Sequence, residues 1–271
     1  AKTFTLSKAL AFNHYGSANV ISTDLGKLDM RGEVGVLSRN IKISGAEDSD
    51  WGCRVLTPRY QVYDTTTSSL VWVEGVTTLQ GVEISRCGQK DTLQGALDFQ
   101  FTLGETQSVV DNVFVRDVLG IGVNMINAKN IKFVNSIITN VRKYGVYTQI
   151  VHSLTFEDNL IVNIVARPEY ANTELYDVHA GFYYNDFAKL ADQNVFINRN
   201  VISATQWFAW YVPGHACNTV NANFKANVGH TARGGWFGGP THAKCSAYSD
   251  FTAYKNFDEG FVNRFNMMQL Y

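Results

Sequence analysis

Four segments of this chain repeat one template, with apolar residues at relative positions 0, 2 and 6 and a polar residue at 4. They are Val113, Val115, Asp117, Leu119; Ile131, Phe133, Asn135, Ile137; Leu154, Phe156, Asp158, Leu160; and Val195, Ile197, Arg199, Val201. An alternation of two is the pleat of a strand. Its return after 18, 23 and then 41 residues marks a stacked repeat, in which no single unit can bury its apolar face alone.

A second apolar stretch, opened by Gly, follows the first: Gly120-Ile121-Gly122-Val123, Gly145-Val146-Tyr147-Thr148, Gly181-Phe182-Tyr183-Tyr184 and Gly234-Gly235-Trp236-Phe237. Asn supplies 23 of the 271 residues, and Asn and Gly are the residues that tolerate left-handed backbone angles at tight bends. Stacked Asn or Asp at equivalent bends can also hydrogen-bond along the axis. Two strands and two such bends within about 20 to 25 residues predict an all-β chain, a right-handed single-stranded parallel β-helix forming one domain over residues 1–271. Apolar spacings of 3 and 4 over ten or more residues, which a helical solenoid needs, are absent. Thr3-Phe4-Thr5-Leu6 already reads as a strand with no cap before it, so the expectation is a segment of a larger protein or assembly.

The 23 Lys and Arg against 24 Asp and Glu leave no basic excess to neutralise phosphates, which argues against nucleic acid and against a polybasic membrane patch. Apolar runs such as residues 159–166 fall far short of a spanning helix, so no membrane insertion by this segment is expected. Cys53, Cys87, Cys217 and Cys245 lack the Cys-x-x-Cys spacing of a metal or redox site. They read as two local disulfides, Cys53 with Cys87 and Cys217 with Cys245, in an oxidising compartment, the alternative being buried free thiols. No cofactor and no metal are expected. Partners are other extracellular proteins, copies of the chain, or glycans.

The stretch Arg31-Gly32-Glu33-Val34-Gly35-Val36-Leu37-Ser38-Arg39-Asn40-Ile41-Lys42-Ile43-Ser44-Gly45 resembles a segment of the fibrocystin and fibrocystin-L family, shared with cell-surface hyaluronidases of the cell-migration-inducing type. Leu10-Ala11-Phe12-Asn13-His14-Tyr15-Gly16 and Gly81-Val82-Glu83-Ile84-Ser85-Arg86-Cys87-Gly88-Gln89 extend the resemblance over about residues 5 to 101. It implies a large extracellular or membrane-tethered protein with parallel β-helix repeats. The hyaluronidase relatives carry a Pro-Ile-His-Phe-His-like run where this chain has Ala96-Leu97-Asp98-Phe99-Gln100, so both imidazoles that could move a proton near neutrality are replaced.

Along the second strands an outward column is expected: Asp98 and Gln100, then Gly122 and Asn124, Tyr147 and Gln149, Tyr183 and Asn185. Amides beside aromatic rings suit a glycan, because a ring stacks on a pyranose while Asn and Gln satisfy its hydroxyls. The competing reading is a row of solvated strand residues. A paired-carboxylate glycosidase would draw on Asp98 with Asp177 or His179. Asp186, His215 and His230 are further candidates that spacing does not single out, and His179 reads equally as part of a surface loop. Trp207 to Pro213 is either core filling, a stacking platform or a lateral contact with another protein. The sequence therefore favours a noncatalytic extracellular β-helix with a structural or adhesive role, binding glycans or assembling into a surface coat or fibre. A polysaccharide-degrading enzyme is the alternative.

Overall fold

A computed structural model describes residues 8, 21–23, 26–165, 179–185, 194–213, 215–216, 223–238, 245–248, 250–263 and 267–270. Every regular element among the described residues is a β-strand. Contacts divide the chain into residues 1–36 and residues 37–271. The first unit holds a short antiparallel pair, Ile21–Thr23 with Gly26–Leu28.

The second unit is built on three parallel ladders. The first runs through Ile41–Ser44, Val82–Ser85, Phe114–Val118, Ile137–Val141, Leu160–Ile164, Val201–Thr205, Asn227–His230 and Phe251–Tyr254. The second runs through Val55–Asp64, Gly95–Gln100, Ile121–Val134, Tyr144–Glu157, Ala180–Tyr184, Phe208–Val212, Gly234–Gly238 and Glu259–Asn263. The two 14-residue strands bend, and their second halves join Thr78–Gln80, Ser108–Asp111, Phe196–Asn198 and Phe224–Lys225 in a third ladder. Parallel neighbours need a long crossover between them. Between Val82–Ser85 and Leu160–Ile164 each crossover consists of strands belonging to the other two ladders.

The register corrects one step of the repeat. Ile131 pairs with Leu154, 23 residues on, but its partner on the preceding side is Ser108, not Val113. Val113 adjoins Phe114, which pairs with Ile137 in the first ladder. Both ladders alternate apolar residues, and a Ser at the true equivalent position hides the match, so the apparent 18-residue step joins two different ladders.

The polar template position is a bend. Asn112, Asn135, Asp158, Arg199, Ala226 and Asp250 fall at equivalent places and all have φ between 52° and 57°. One residue further on lies a buried polar ladder. Asn159 Oδ1 accepts from Ser136 N at 2.9 Å, Asn200 Oδ1 accepts from Asn159 N at 3.0 Å, and Asn227 Oδ1 accepts from Asn200 N at 3.0 Å. Each amide nitrogen donates to a carbonyl of the preceding strand, at Phe133, Phe156 and Ile197. These residues are at most 2% exposed, and such hydrogen bonding is what makes polar burial tolerable.

The interior is lined by matched columns. Ile84, Val115, Ile138, Ile161 and Ile202 run down the first ladder, and Leu97, Val123, Val146, Phe182, Trp210 and Trp236 run down the second. Opposite the isoleucines the second ladder carries Gly122, Gly145 and Gly181, and space requires it. A methyl at Gly145 would stand 2.5 Å from the carbonyl oxygen of Gly181 and 2.7 Å from Ile161 Cγ2.

Cys53 and Cys87 form a disulfide across parallel-paired positions, with Cα atoms 4.2 Å apart. Cys217 and residues 3–6 lie outside the described residues. Of Cys245 and His215 the backbone strands alone are described. Among the described residues no helix is long and apolar enough to cross a membrane.

Candidate functional site

The outer face of the second ladder carries the residues singled out from sequence. The register aligns Asp98, Asn124, Tyr147, Tyr183, Tyr211 and Phe237 in one column. Gln100, Ile126 and Gln149 align in the next, where Asn185 N bonds to Thr148 O. The expected column is thus displaced by two residues at one step, because the equivalent of Gln100 is Ile126 and not Asn124. Gly122 belongs to the inward column of small residues. Tyr211 and Phe237 continue the site, and the repeated Gly signal missed Tyr211 because Phe208–Val212 has Ala209 where its neighbours have Gly145, Gly181 and Gly235.

Asp98 and Asn124 are fully buried, Tyr147 is 6% exposed and Tyr211 is 9% exposed, so a solvated strand face is not what these positions form. Asp98 Oδ2 accepts from Arg54 Nε at 2.8 Å and from Gly95 N at 3.1 Å, while Oδ1 accepts from Asn124 Nδ2 at 3.0 Å. Arg54 also pairs through Nη2, at 2.8 Å, and its Nη1 donates to Gln94. Burial pushes the Asp98 carboxyl above its ordinary range, while the Arg54 charge and the Asn124 bond pull it back. The carboxylate is an anchor fastening two neighbouring strands to Arg54. Nothing in the sequence near Asp98 signalled Arg54, which stands 44 residues earlier.

The aromatic half of the column stacks on itself. Tyr147 and Tyr183 have ring centroids 5.5 Å apart and 5° from parallel, Tyr183 and Tyr211 are 4.4 Å and 23° apart, and Tyr211 and Phe237 are 4.9 Å and 8° apart. Tyr144 tilts against Tyr147 and Tyr183 at 5.3 and 5.0 Å. With Ile121, Ala180 and Phe208 these residues form a second apolar cluster on the side of the sheet away from the main core. Rings in one register column are one strand spacing apart, near the preferred separation for offset stacking. Both faces of Tyr183 and of Tyr211 are consequently covered by neighbouring rings. Burial raises the Tyr211 hydroxyl pKa.

The run at Trp207 resolves into Phe208–Val212, a wholly buried strand with Trp210 in the main core and Phe208 and Tyr211 in the outer cluster. His179 is 1% exposed beside Tyr144, so it is not in a surface loop. His230 stacks on Tyr254 at 4.7 Å. Asp177 and Asp186 lie outside the described residues. Among the described residues no three His, Cys, Asp or Glu side chains gather as a metal site would require. The amides fare differently from Asp98 and Asn124: Gln100, Gln149 and Asn185 stay half-exposed, with Asn185 Nδ2 donating to the Tyr147 hydroxyl at 3.0 Å.

No family model matches the chain, and no solved structure matches it significantly. Among curated proteins it is similar to fibrocystin of Canis lupus familiaris, at 24% identity over 253 residues, and to fibrocystin of Mus musculus, at 25% over 253 residues. The similarity covers 93% of this chain, well beyond residues 5 to 101, and 6% of the length of each relative. The relationship is therefore fibrocystin-like and extends along nearly the whole chain.

Proposed function

We propose that residues 37–271 wind as a right-handed single-stranded parallel β-helix and serve as a noncatalytic extracellular module with a structural or adhesive role. The observation that carries this reading is that the outer column is closed by its own contacts. Asp98 is neutralised by Arg54 and shielded from solvent, and the tyrosine faces are taken by one another. The rotation of the chain through three ladders supports the winding. The Cys53–Cys87 disulfide and the likeness to fibrocystin support an oxidising, extracellular setting. Partners are other extracellular proteins or copies of the chain, and a glycan would meet the half-exposed amides Gln100, Gln149 and Asn185.

The enzyme reading needs an acid that can reach a glycosidic oxygen. Asp98, paired and fully buried, is poorly placed for that, and no geometry among the described residues joins it to a second acid. Incubation of the full chain with hyaluronan and other polysaccharides, with and without divalent metal, is expected to leave polymer length unchanged. Depolymerisation that disappears in Asp98→Asn would overturn the noncatalytic reading.

A further inference from the structure

The strand Val55–Asp64 stays with the second ladder only as far as Pro58, which pairs with Gln100. From Arg59 to Asp64 its partner is Ser69–Glu74, antiparallel, in a two-stranded ribbon at the end of the sheet. The ion pair Arg59–Glu74, at 2.7 Å, closes its base. Asp64, accepting from Thr66 N at 2.8 Å and Thr67 Oγ1 at 2.9 Å, closes its tip. Between these ends stand Tyr60-Gln61-Val62-Tyr63 and Leu70-Val71-Trp72-Val73, without one charge.

The register puts Tyr60, Val62, Val71 and Val73 on one face and Tyr63, Leu70 and Trp72 on the other. Tyr60, Val62, Tyr63, Leu70, Val71 and Trp72 are each 37–60% exposed, and on one face the Arg59 guanidinium lies 4.1 Å over the Trp72 ring. An isolated two-stranded ribbon is marginal in water. Sheet edges are ordinarily guarded by Lys, Pro or a bulge, and Ser69–Glu74 carries no Lys or Pro.

We infer that this ribbon is a self-association surface, on which a second copy of the chain pairs its own Ser69–Glu74 strand antiparallel across a two-fold axis. An edge strand is self-complementary under that symmetry, since the same patch serves both copies. An axis through Val71 sets Leu70 opposite the second copy's Trp72 and leaves Glu74 beyond the paired residues, so no like charges meet. A strand added to this edge lies beside Ser69–Glu74 and leaves Tyr60, Val62 and Tyr63 of the far strand open, so the contact is small and of the weak, reversible class.

This inference deepens the structural-module reading by naming its surface, but it does not depend on how the ladders wind. Sedimentation of the full chain over a concentration series is expected to show a reversible monomer–dimer equilibrium. Val71→Lys and Leu70→Lys are each expected to weaken it by roughly thirtyfold or more, with an unchanged melting temperature. Val71→Cys is expected to give a disulfide-linked dimer on oxidation, whereas Asp64→Cys at the tip is not. A monomer at every concentration, or dimers that persist in both lysine variants, would overturn the inference and leave the polysaccharide result untouched.

Discussion

Asn200→Ala is expected to destabilise the fold by about 4 kcal/mol. The side chain works in both directions along the ladder: Oδ1 accepts from the backbone and side-chain nitrogens of Asn159, and Nδ2 donates to Phe156 O and Asn227 Oδ1. Truncation strands buried groups at Asn159, Phe156 and Asn227 at once, each worth about 1–3 kcal/mol when left unsatisfied. Urea unfolding followed by circular dichroism gives the measurement. Asn135→Ala is the matched control, because that residue is exposed and left-handed, with φ of 52°. Its loss is expected near 1 kcal/mol, from backbone strain. Equal losses at the two positions would mean that the buried ladder contributes nothing special.

Trp210→Ala is expected to remove about 5 kcal/mol, a large part of the stability of an ordinary domain. Trp210 is 1% exposed, lies between Phe182 and Trp236 at 5.7 Å from each, meets Phe224 edge-on, and donates from Nε1 to Val228 O at 2.9 Å. Alanine would leave a cavity bounded by three aromatic rings and an acceptor without its donor. Low yield of folded chain and exposure of the remaining tryptophans in fluorescence are the expected signs. Trp210→Phe, which keeps the stacking but not the hydrogen bond, is expected to recover more than half the loss. A Trp210→Ala chain melting with the wild type would contradict the register that stacks these rings.

Much of this architecture is legible in the sequence because the apolar alternation and the Asn-bearing bends are properties of single strands and turns. Asn135, Asp158 and Arg199 occupy left-handed bends, and Leu154 is the register partner of Ile131, as the template requires. Stacking of Asn and Asp along the axis is legible too, and Asn135 Nδ2 donates to Asp111; what the sequence hides is the burial of Asn159, Asn200 and Asn227, each of which follows a bend residue. A polar residue flanked by apolar ones normally signals the surface, and its burial depends on an identical neighbour one repeat away. The outer column was readable as a column, but its closure was not. Sequence alternation says which side of a sheet a residue faces, and Tyr147 and Asp98 face the outer side as expected. It does not say that their neighbours across strands, Tyr183 and Arg54, cover them. The ribbon from Arg59 to Glu74 went unremarked for a related reason, since a strand without charges looks like core until its partners are known.

Pairs of introduced cysteines test the register most directly, because parallel partners stand one strand spacing apart, within disulfide reach. Thr139 and Val162 are direct partners on the half-exposed side of the first ladder, whereas Arg116 is the partner of Thr139 on the side away from Val162. Thr139→Cys with Val162→Cys is expected to close a disulfide on oxidation, read by mass spectrometry of the digested chain. Arg116→Cys with Val162→Cys, two strand spacings or about 10 Å apart, is expected to stay reduced. A bridge in the second pair and none in the first would contradict the stacked parallel ladders on which the whole interpretation rests.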